Sequence, residues 1–207
     1  MSTIPTISKK HSICVICEGD EEFKYFEKLK SLNVWSEQYS FNLINAKSAS
    51  NIFPRYQLIY NMDRYELILI FCDTDKAPHS EYKKIVEKIN YFHDKKDIAE
   101  RIIIYANPCT MQIVLSHFDD VELKTQAKKS NADIIKKLTG IENYDGHKGQ
   151  IEEMCNKIFK RTYKDMKARV NRINRSYDIP TSTNFIIFLQ NFENEDDSWI
   201  KEINELF

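Results

Sequence analysis

Three short runs of consecutive apolar residues, separated by longer amphipathic stretches, most constrain what this chain can fold into. The runs are rich in β-branched residues and cover residues 12–17 (SICVIC), 66–72 (ELILIFC) and 101–106 (RIIIYA). Continuous apolar strands are typical of a parallel sheet covered on both faces, because right-handed crossovers place helices on each side. The pattern therefore predicts an α/β fold with a mostly parallel sheet flanked by helices.

The segments between these runs complete a βαβαβαβ order. Residues 39–44 predict a second strand, and helical spacing of apolar residues predicts helices after the first strand, over 49–62 and over 80–92. In such sheets, ligands bind at the carboxyl ends of the strands.

The rest of the chain predicts a helical extension. Residues 108–175 have nearly continuous helical spacing, broken near 140–149, where most of the glycines lie. Residues 184–189 (NFIIFL) predict a late strand that can join the sheet, and residues 193–207 an acidic helical tail. We expect an α/β core over residues 1–120 and a helical extension over residues 121–207.

Composition restricts the kind of protein. A chain of 207 residues, 42% hydrophobic, can bury one sizeable core. With 30 Lys and Arg against 31 Asp and Glu, the net charge of −1 gives no global attraction to polyanions, so any basic binding surface must be local. No apolar run approaches the ~20 residues that span a bilayer, and the start lacks the apolar core of a signal peptide. We expect no membrane association and a cytoplasmic location.

The five cysteines predict buried free thiols. Their number is odd, and three of them lie in apolar runs that resemble strands. Cys14 and Cys17 form a CxxC pair, but residues three apart on a strand point to opposite faces, which disfavours a shared metal.

Acidic residues follow two of the predicted strands. Glu18 comes directly after the first strand, with Gly19 where the backbone turns into the helix, and Glu22 lies one helical turn later. Asp73 and Asp75 follow residues 66–72, and their spacing predicts that both point to one side of an extended backbone. Oxygen ligands of this kind bind Mg²⁺, which can polarise a phosphoryl oxygen and activate water. The alternative is that these residues only cap helices and complement the helix dipole.

Three motifs occur in the order found in one known family. They are EGDEEFKYF, FCDTDK and NPCTMQIVLSHF, each at the end of a predicted strand. Together they resemble the RloB-like branch of the Toprim superfamily, over roughly residues 12–150. The resemblance implies a Rossmann-like Toprim sheet, a glutamate that acts as general acid or base, and a DxD pair that binds Mg²⁺. We therefore assign catalysis to Glu18 and Glu22, and binding of Mg²⁺, with Mn²⁺ as a substitute, to Glu18, Asp73 and Asp75.

The third motif departs from the family. Relatives usually continue NPC with phenylalanine and glutamate, whereas Thr110 and Met111 follow here. If that glutamate helps to bind a second metal ion in relatives, this protein uses one metal ion, recruits Asp119 or Asp120 as a replacement ligand, or has lost activity. His117 matches the family's HF, yet a lone histidine on an apolar helix is more often a core residue.

Lys148 lies in the glycine-rich HKG segment. Related nucleases place there a lysine that steadies the charge of a pentavalent phosphate. The resemblance thus adds Lys148 to the catalytic residues.

One segment is strongly basic. Between residues 157 and 175 a stripe at helical spacing contains Lys157, Arg161, Lys164, Arg172 and Arg175. The opposite face, predicted to be buried, contains Ile151, Met154, Ile158, Met166 and Ile173. The stripe can neutralise phosphates of a nucleic acid. The alternatives are a solvated face, or pairing with the acidic tail.

These features favour a Mg²⁺-dependent nuclease that cuts DNA or structured RNA, including transfer RNA. RloB-like proteins resemble nuclease components of bacterial anti-phage systems that often stand beside a partner ATPase, and this chain has no P-loop of its own. Two alternatives remain: a stand-alone RNA-processing endonuclease, and a non-catalytic module for nucleic-acid binding or assembly. The sequence does not decide whether the chain forms a homo-oligomer.

Overall fold

A computed structural model describes residues 10–75 and 77–207. Its strands are β1 (His11–Cys17), β2 (Tyr39–Asn45), β3 (Leu67–Asp73), β4 (Ile103–Asn107) and β5 (Ser182–Thr183). Its helices are α1 (Asp20–Ser31), α2 (Ala49–Asn61), α3 (Ser80–Phe92), α4 (Ile98–Ile102), α5 (Met111–Leu115), α6 (Lys128–Thr139), α7 (Lys148–Asn156), α8 (Lys160–Val170), α9 (Phe185–Glu193) and α10 (Ser198–Asn204).

The strands form one sheet in the order β2-β1-β3-β4-β5. The first four are parallel, and β5 pairs antiparallel with β4. Every residue of β4, and of β3 up to Cys72, is buried. Both faces of these strands are therefore covered, which explains their continuous apolar sequence. The predicted α/β fold, with a mostly parallel sheet, flanking helices and a helical extension, is confirmed.

The strands and helices predicted over residues 12–106 agree with the structure to within two residues. The main difference in the first half is α4, a short helix directly before β4. Its buried residues Ile98, Ala99 and Ile102 continue into the apolar run of β4, so the strand begins at Ile103 and the predicted start at Arg101 is too early. In the extension, residues 116–127 form no helix, and the predicted tail is helical only at its start, in α9, and over Ser198–Asn204.

The late strand predicted over residues 184–189 is wrong, because these residues begin α9. The helix buries Phe185, Phe188, Leu189 and Phe192 and leaves Ile187 42% exposed. That spacing fits a helix with one apolar face, although a short apolar run does not by itself distinguish helix from strand. The strand that joins the sheet is β5, just before α9, and it covers only Ser182–Thr183.

The extension and the α/β core share one hydrophobic core. Phe192 of α9 packs its ring 4.8 Å from Phe41 of β2 and 5.1 Å from Trp35. The indole nitrogen of Trp199 donates to the hydroxyl of Tyr39 at 3.0 Å. Helices from the C-terminal part of the chain therefore cover strands from its N-terminal part.

The helices also bear on the membrane prediction. None of the described helices has the length and apolar character needed to cross a bilayer.

All five cysteines are free, and four of them, Cys14, Cys17, Cys72 and Cys109, are buried.

Candidate metal site at the carboxyl edge of the sheet

The site lies where the strand order of the sheet reverses. β1 and β3 are parallel neighbours, with Cys17 opposite Phe71, and β2 and β4 lie on opposite sides of this pair. The connections after β1 and β3 therefore run to opposite sides of the pair and leave a crevice outside its carboxyl ends. Crevices at such a switch point are the usual ligand sites of open α/β sheets.

The structure brings Glu18 and Asp73 together at this crevice. The backbone nitrogen of Glu18 donates to the carbonyl of Phe71 at 3.0 Å, which continues the pairing of β1 and β3. The Oε2 atom of Glu18 accepts a hydrogen bond from the backbone nitrogen of Asp73 at 3.1 Å. The two carboxylates therefore share one edge of the sheet, as the sequence predicts.

Glu22 lies behind Glu18, on the first turn of α1. Its side chain is buried, and its Oε2 atom accepts a hydrogen bond from the backbone nitrogen of Gly19 at 2.9 Å. A Cβ at Gly19 would lie 3.2 Å from that oxygen. The backbone of Gly19 is extended, with φ of −142°. The backbone conformation at Gly19 is thus open to any residue, and the absence of a Cβ relieves a tight contact with the Glu22 carboxylate.

Thr110, which lies between β4 and α5, holds the side chain of Asp73 in place. The Oδ1 atom of Asp73 accepts hydrogen bonds from the backbone nitrogen of Thr110 at 2.7 Å and from its hydroxyl at 2.9 Å. The next residue, Met111, is buried. The position at which relatives place a glutamate is thus part of the core, and its neighbour Thr110 supports the acidic site by hydrogen bonding.

Asp75 follows β3 in a backbone conformation different from the predicted one. β3 ends at Asp73, and Asp75 has a φ of 55°, in the left-handed region. The backbone is therefore not extended through Asp75, so the reasoning that placed both aspartates on one side of an extended strand is wrong. The backbone carbonyl of Asp75 lies 2.9 Å from Nδ1 of His79, which fixes this turn.

The carboxyl groups perturb one another. Burial, reinforced by the negative charge of Glu22, raises the pKa of Glu18 to about 8. Burial, with the charge of Glu21, raises the pKa of Glu22 to about 7. Burial and the neighbouring glutamates raise the pKa of Asp73 well above its usual range, and burial with Glu81 raises that of Asp75. At neutral pH the cluster therefore holds protons that a cation can replace.

A lysine from the extension reaches the acidic cluster. The ammonium of Lys128 lies 2.9 Å from Oε1 of Glu21, which also accepts a hydrogen bond from the hydroxyl of Tyr144 at 2.7 Å. Burial lowers the pKa of Lys128, but the carboxylates of Glu21, Glu22 and Asp73 outweigh it, so the pKa is raised and the charge is kept.

Gly146 makes room for this lysine, because a Cβ there would overlap the Lys128 side chain. Sequence reasoning missed Lys128, since nothing in residues 121–130 indicates what the start of α6 faces. Thr110 could have been found, because the residues that follow neighbouring parallel strands meet at one edge.

Among the described residues, no hydrogen bond or ion pair joins Lys148 or His117 to Glu18 or Asp73. Lys148 is the first residue of α7, and its side chain is 75% exposed, with Glu152 at 4.0 Å. His117 is buried, and its ring nitrogens lie 2.9 Å from the Tyr25 hydroxyl and 3.1 Å from the Thr162 hydroxyl. Burial lowers the pKa of His117 to about 3, so this histidine is a neutral core residue. Of the acids proposed as replacements, Asp120 pairs with Arg172 at 2.6 Å.

The basic segment is not one helix. α7 ends at Asn156 and α8 covers Lys160–Val170, so of the five predicted cations only Arg161 and Lys164 lie in a helix. The other three are Lys157 between the helices and Arg172 and Arg175 after α8. The predicted continuous stripe is therefore wrong. The predicted buried face is largely confirmed, since Ile151, Met154, Ile158 and Met166 are buried and Ile173 is half-buried.

The acidic tail makes little contact with these cations. Lys157 pairs with Glu153 at 3.4 Å, and Arg172 with Asp120. Among the described residues, the ion pair that joins the basic segment to the tail is Lys167 with Glu193. Lys167 is not one of the five cations of the predicted stripe, so pairing with the acidic tail does not explain the positive charge of those five residues.

The carboxylates are not already arranged around a common point. Within residues 10–75 and 77–207, no three His, Cys, Asp or Glu side chains are placed to hold one metal ion as they stand. Metal binding therefore requires side-chain rotation. The described residues donate no hydrogen bond to Oε1 of Glu18 or to Oδ2 of Asp73, so these oxygens are available.

Comparison of the chain with protein-family models, with curated proteins and with solved structures gives no match in any of the three. The resemblance to RloB-like Toprim proteins therefore rests on the three sequence motifs, and the activity it implies remains a proposal.

Proposed function

We propose that this protein is a divalent-metal-dependent nuclease that hydrolyses phosphodiesters of DNA or structured RNA. The observation that carries the proposal is the pair of carboxylates at the switch point of the sheet. Glu18 and Asp73 each use one oxygen to accept hydrogen bonds that orient the side chain, from Asp73 N and from Thr110. Oriented carboxylates with a second, available oxygen are what a metal site requires of its ligands.

The donor set fits Mg²⁺, with Mn²⁺ as a substitute. Glu18, Asp73 and Asp75 provide only oxygen donors, which hard divalent cations prefer. Burial and neighbouring carboxylates, Glu22 for Glu18 and Asp73, and Glu81 for Asp75, raise the pKa of all three groups, so the site favours a compensating positive charge. When bound, such a cation would polarise a phosphoryl oxygen and acidify a water molecule.

The protein's own groups suit proton transfer and charge stabilisation. Glu18 is one candidate for accepting a proton from the attacking water, in an arrangement in which its Oε1 atom does not bind the cation. Glu22 is the second candidate for this role, because its pKa of about 7 lies close to neutral pH. We assign stabilisation of the charge that develops on the phosphate to Lys128, whose ammonium stays charged beside the cluster. Lys148 is the alternative, since it opens α7 at the segment that the resemblance indicates.

The remaining parts of the proposal have different support. Exposed Arg161 and Lys164, which make no ion pair within the described part of the chain, support contact with phosphates. A partner ATPase and a role in anti-phage defence rest on the sequence resemblance alone.

The decisive experiment is cleavage by Asp73→Asn. Asparagine keeps the shape and the acceptor for Thr110 but removes the charge, so we expect the folded variant to lose roughly a hundredfold or more of its metal-dependent cleavage. The matched control is Asp133→Asn, which changes an exposed aspartate of α6 and should cleave like the parent. The substrates are single-stranded DNA, duplex DNA and transfer RNA, each with Mg²⁺, Mn²⁺ or EDTA.

Equal cleavage by the two variants would refute the site. If the parent protein binds these substrates but cleaves none of them with either metal, the non-catalytic alternative holds. The buried Met111 at the family's glutamate position is the observation that favours this alternative.

A further inference from the structure

Phe159, between α7 and α8, is an exposed aromatic residue held in a fixed position. Its side chain is 59% exposed, whereas the preceding Ile158 is completely buried. Its backbone nitrogen donates to the hydroxyl of Thr162 at 2.9 Å, and that hydroxyl lies 3.0 Å from the carbonyl of Phe159. The phenyl ring is therefore displayed to solvent at a corner that local hydrogen bonds make rigid.

Positively charged residues lie near this ring and directly after Phe159 in the chain. The ammonium of Lys28, from α1, lies 5.8 Å from the ring centre. Directly after Phe159, α8 begins with Lys160 and Arg161 and lines a groove of about 580 Å³. The groove residues are Val34, Lys160, Arg161, Tyr163, Lys164, Lys167 and Glu193. The one carboxylate among them, Glu193, already binds both Lys167 and Tyr163.

The unpaired cations of this surface are therefore available to an anion. Lys160, Arg161 and Lys164 are exposed, and none of them forms an ion pair within residues 10–75 and 77–207. Acidic residues also lie around this surface: Glu153 is paired with Lys157, Asp165 is exposed on α8, and Glu37 and Glu195 line a pocket that shares Val34 and Glu193 with the groove.

We propose that Phe159 and this groove bind unpaired nucleic acid, with the ring stacking on a base while Lys28, Lys160 and Arg161 contact the flanking phosphates. The inference rests on the proposed function and adds that the substrate has a single-stranded segment beside the cut. Every base has a flat face, so an exposed ring among cations binds single strands without regard to sequence. In a duplex the same faces are covered by neighbouring base pairs.

Helix α1 connects this surface to the candidate metal site. Lys28 lies on the same helix as Glu22, about 9 Å further along its axis at 1.5 Å per residue. Lys28 is thus less than two helical turns from Glu22 along α1. An acidic protein would also match the charge of the groove, and the test below distinguishes it from a nucleic acid.

The test measures binding by the full-length protein in EDTA, so that no cleavage occurs. Fluorescence anisotropy compares short labelled oligothymidine and oligouridine strands with a blunt duplex of equal length. The variant Phe159→Leu keeps apolar bulk and loses the aromatic face. It should bind single strands about fivefold or more weakly, with duplex binding unchanged. The control is Tyr91→Leu, which removes a side chain that is 89% exposed on α3 and should have no effect.

The variant Phe159→Trp provides an independent readout. It should keep the affinity of the parent, and its added indole fluorescence should be quenched by the single strand. Equal binding by Phe159→Leu and the parent, equal losses for single strand and duplex, or no binding by the parent at low salt would overturn the inference. Full displacement of the strand from the parent protein by polyglutamate at equal charge concentration would also overturn it, since the surface would then recognise charge alone.

The outcome separates this inference from the proposed nuclease activity. If binding depends on Phe159 but no metal supports cleavage, the stacking surface stands and the nuclease proposal fails. If Asp73→Asn abolishes cleavage but Phe159→Leu binds normally, the reverse holds.

Discussion

Replacing Glu18 with glutamine should make the metal-free protein more stable at alkaline pH. The pKa of Glu18 is raised from 4.5 to about 8, so protonation favours the folded state. This contribution is fully present below pH 4.5 and is lost as the pH rises through about 8. At pH 6, two pH units below the folded-state pKa, it amounts to roughly 3 kcal/mol, and at pH 9 to almost nothing. Because glutamine is neutral at every pH, Glu18→Gln should match the parent below about pH 4.5. Its advantage should grow from roughly 2 kcal/mol at pH 6 to roughly 5 kcal/mol at pH 9, a rise of about 3 kcal/mol.

Thermal unfolding in EDTA at several pH values measures this difference. For a chain of this size, 3 kcal/mol corresponds to roughly 6–12 °C in melting temperature. The control is Glu202→Gln, the same substitution at an exposed position of α10, which should leave the pH profile of the parent unchanged. A difference between Glu18→Gln and the parent that is the same at pH 6 and pH 9, or a variant less stable at pH 9, would refute the account of crowded, partly protonated carboxyl groups.

Three further predictions concern the surroundings of the site. Thr110→Val keeps the backbone hydrogen bond to Asp73 but loses the hydroxyl one, so the Mg²⁺ concentration needed for half-maximal cleavage should rise about tenfold. An unchanged Mg²⁺ concentration would show that the hydroxyl of Thr110 does not orient Asp73. Lys128→Met should slow cleavage by about a hundredfold without raising that Mg²⁺ concentration, whereas Lys129→Met on the same helix should do neither. Replacing Arg161 and Lys164 together by alanine should reduce the slope of log affinity against log salt by up to about 1.8 on duplex DNA; an unaltered slope with a lower melting temperature would assign these residues to folding.

The sheet and the position of the site could be predicted because the signals are local. Residues 12–17 and 66–72 are continuously apolar since both faces of β1 and β3 are covered, and that pattern is visible without a structure. Parallel strands end at the same edge, so Glu18 and Asp73 were expected on one edge of the sheet. Their direct contact follows from the pairing of β1 with β3, which the sequence did not predict.

Other features depend on contacts that the sequence does not encode locally. The run 184–189 is apolar enough for a strand or a helix, and the core formed with β2 decides for the helix α9. Lys128 approaches the carboxylates because α6 returns to the start of α1, a long-range contact without a motif. The left-handed conformation of Asp75 and the break between α7 and α8 are likewise set by packing, and both overturned predictions based on ideal strand or helix spacing.

The most direct measurement of the central claim is the location of bound Mn²⁺ in crystals of the protein, from anomalous diffraction. We expect one strong peak in the crevice between the ends of β1 and β3, within about 2.0–2.3 Å of carboxylate oxygens of Glu18 and Asp73, and with Asp75 turned toward it directly or through water. The peak should disappear in Asp73→Asn crystals grown under the same conditions. A Mn²⁺ ion bound elsewhere, or an empty crevice at concentrations that support cleavage, would contradict the assignment of this edge of the sheet as the metal site.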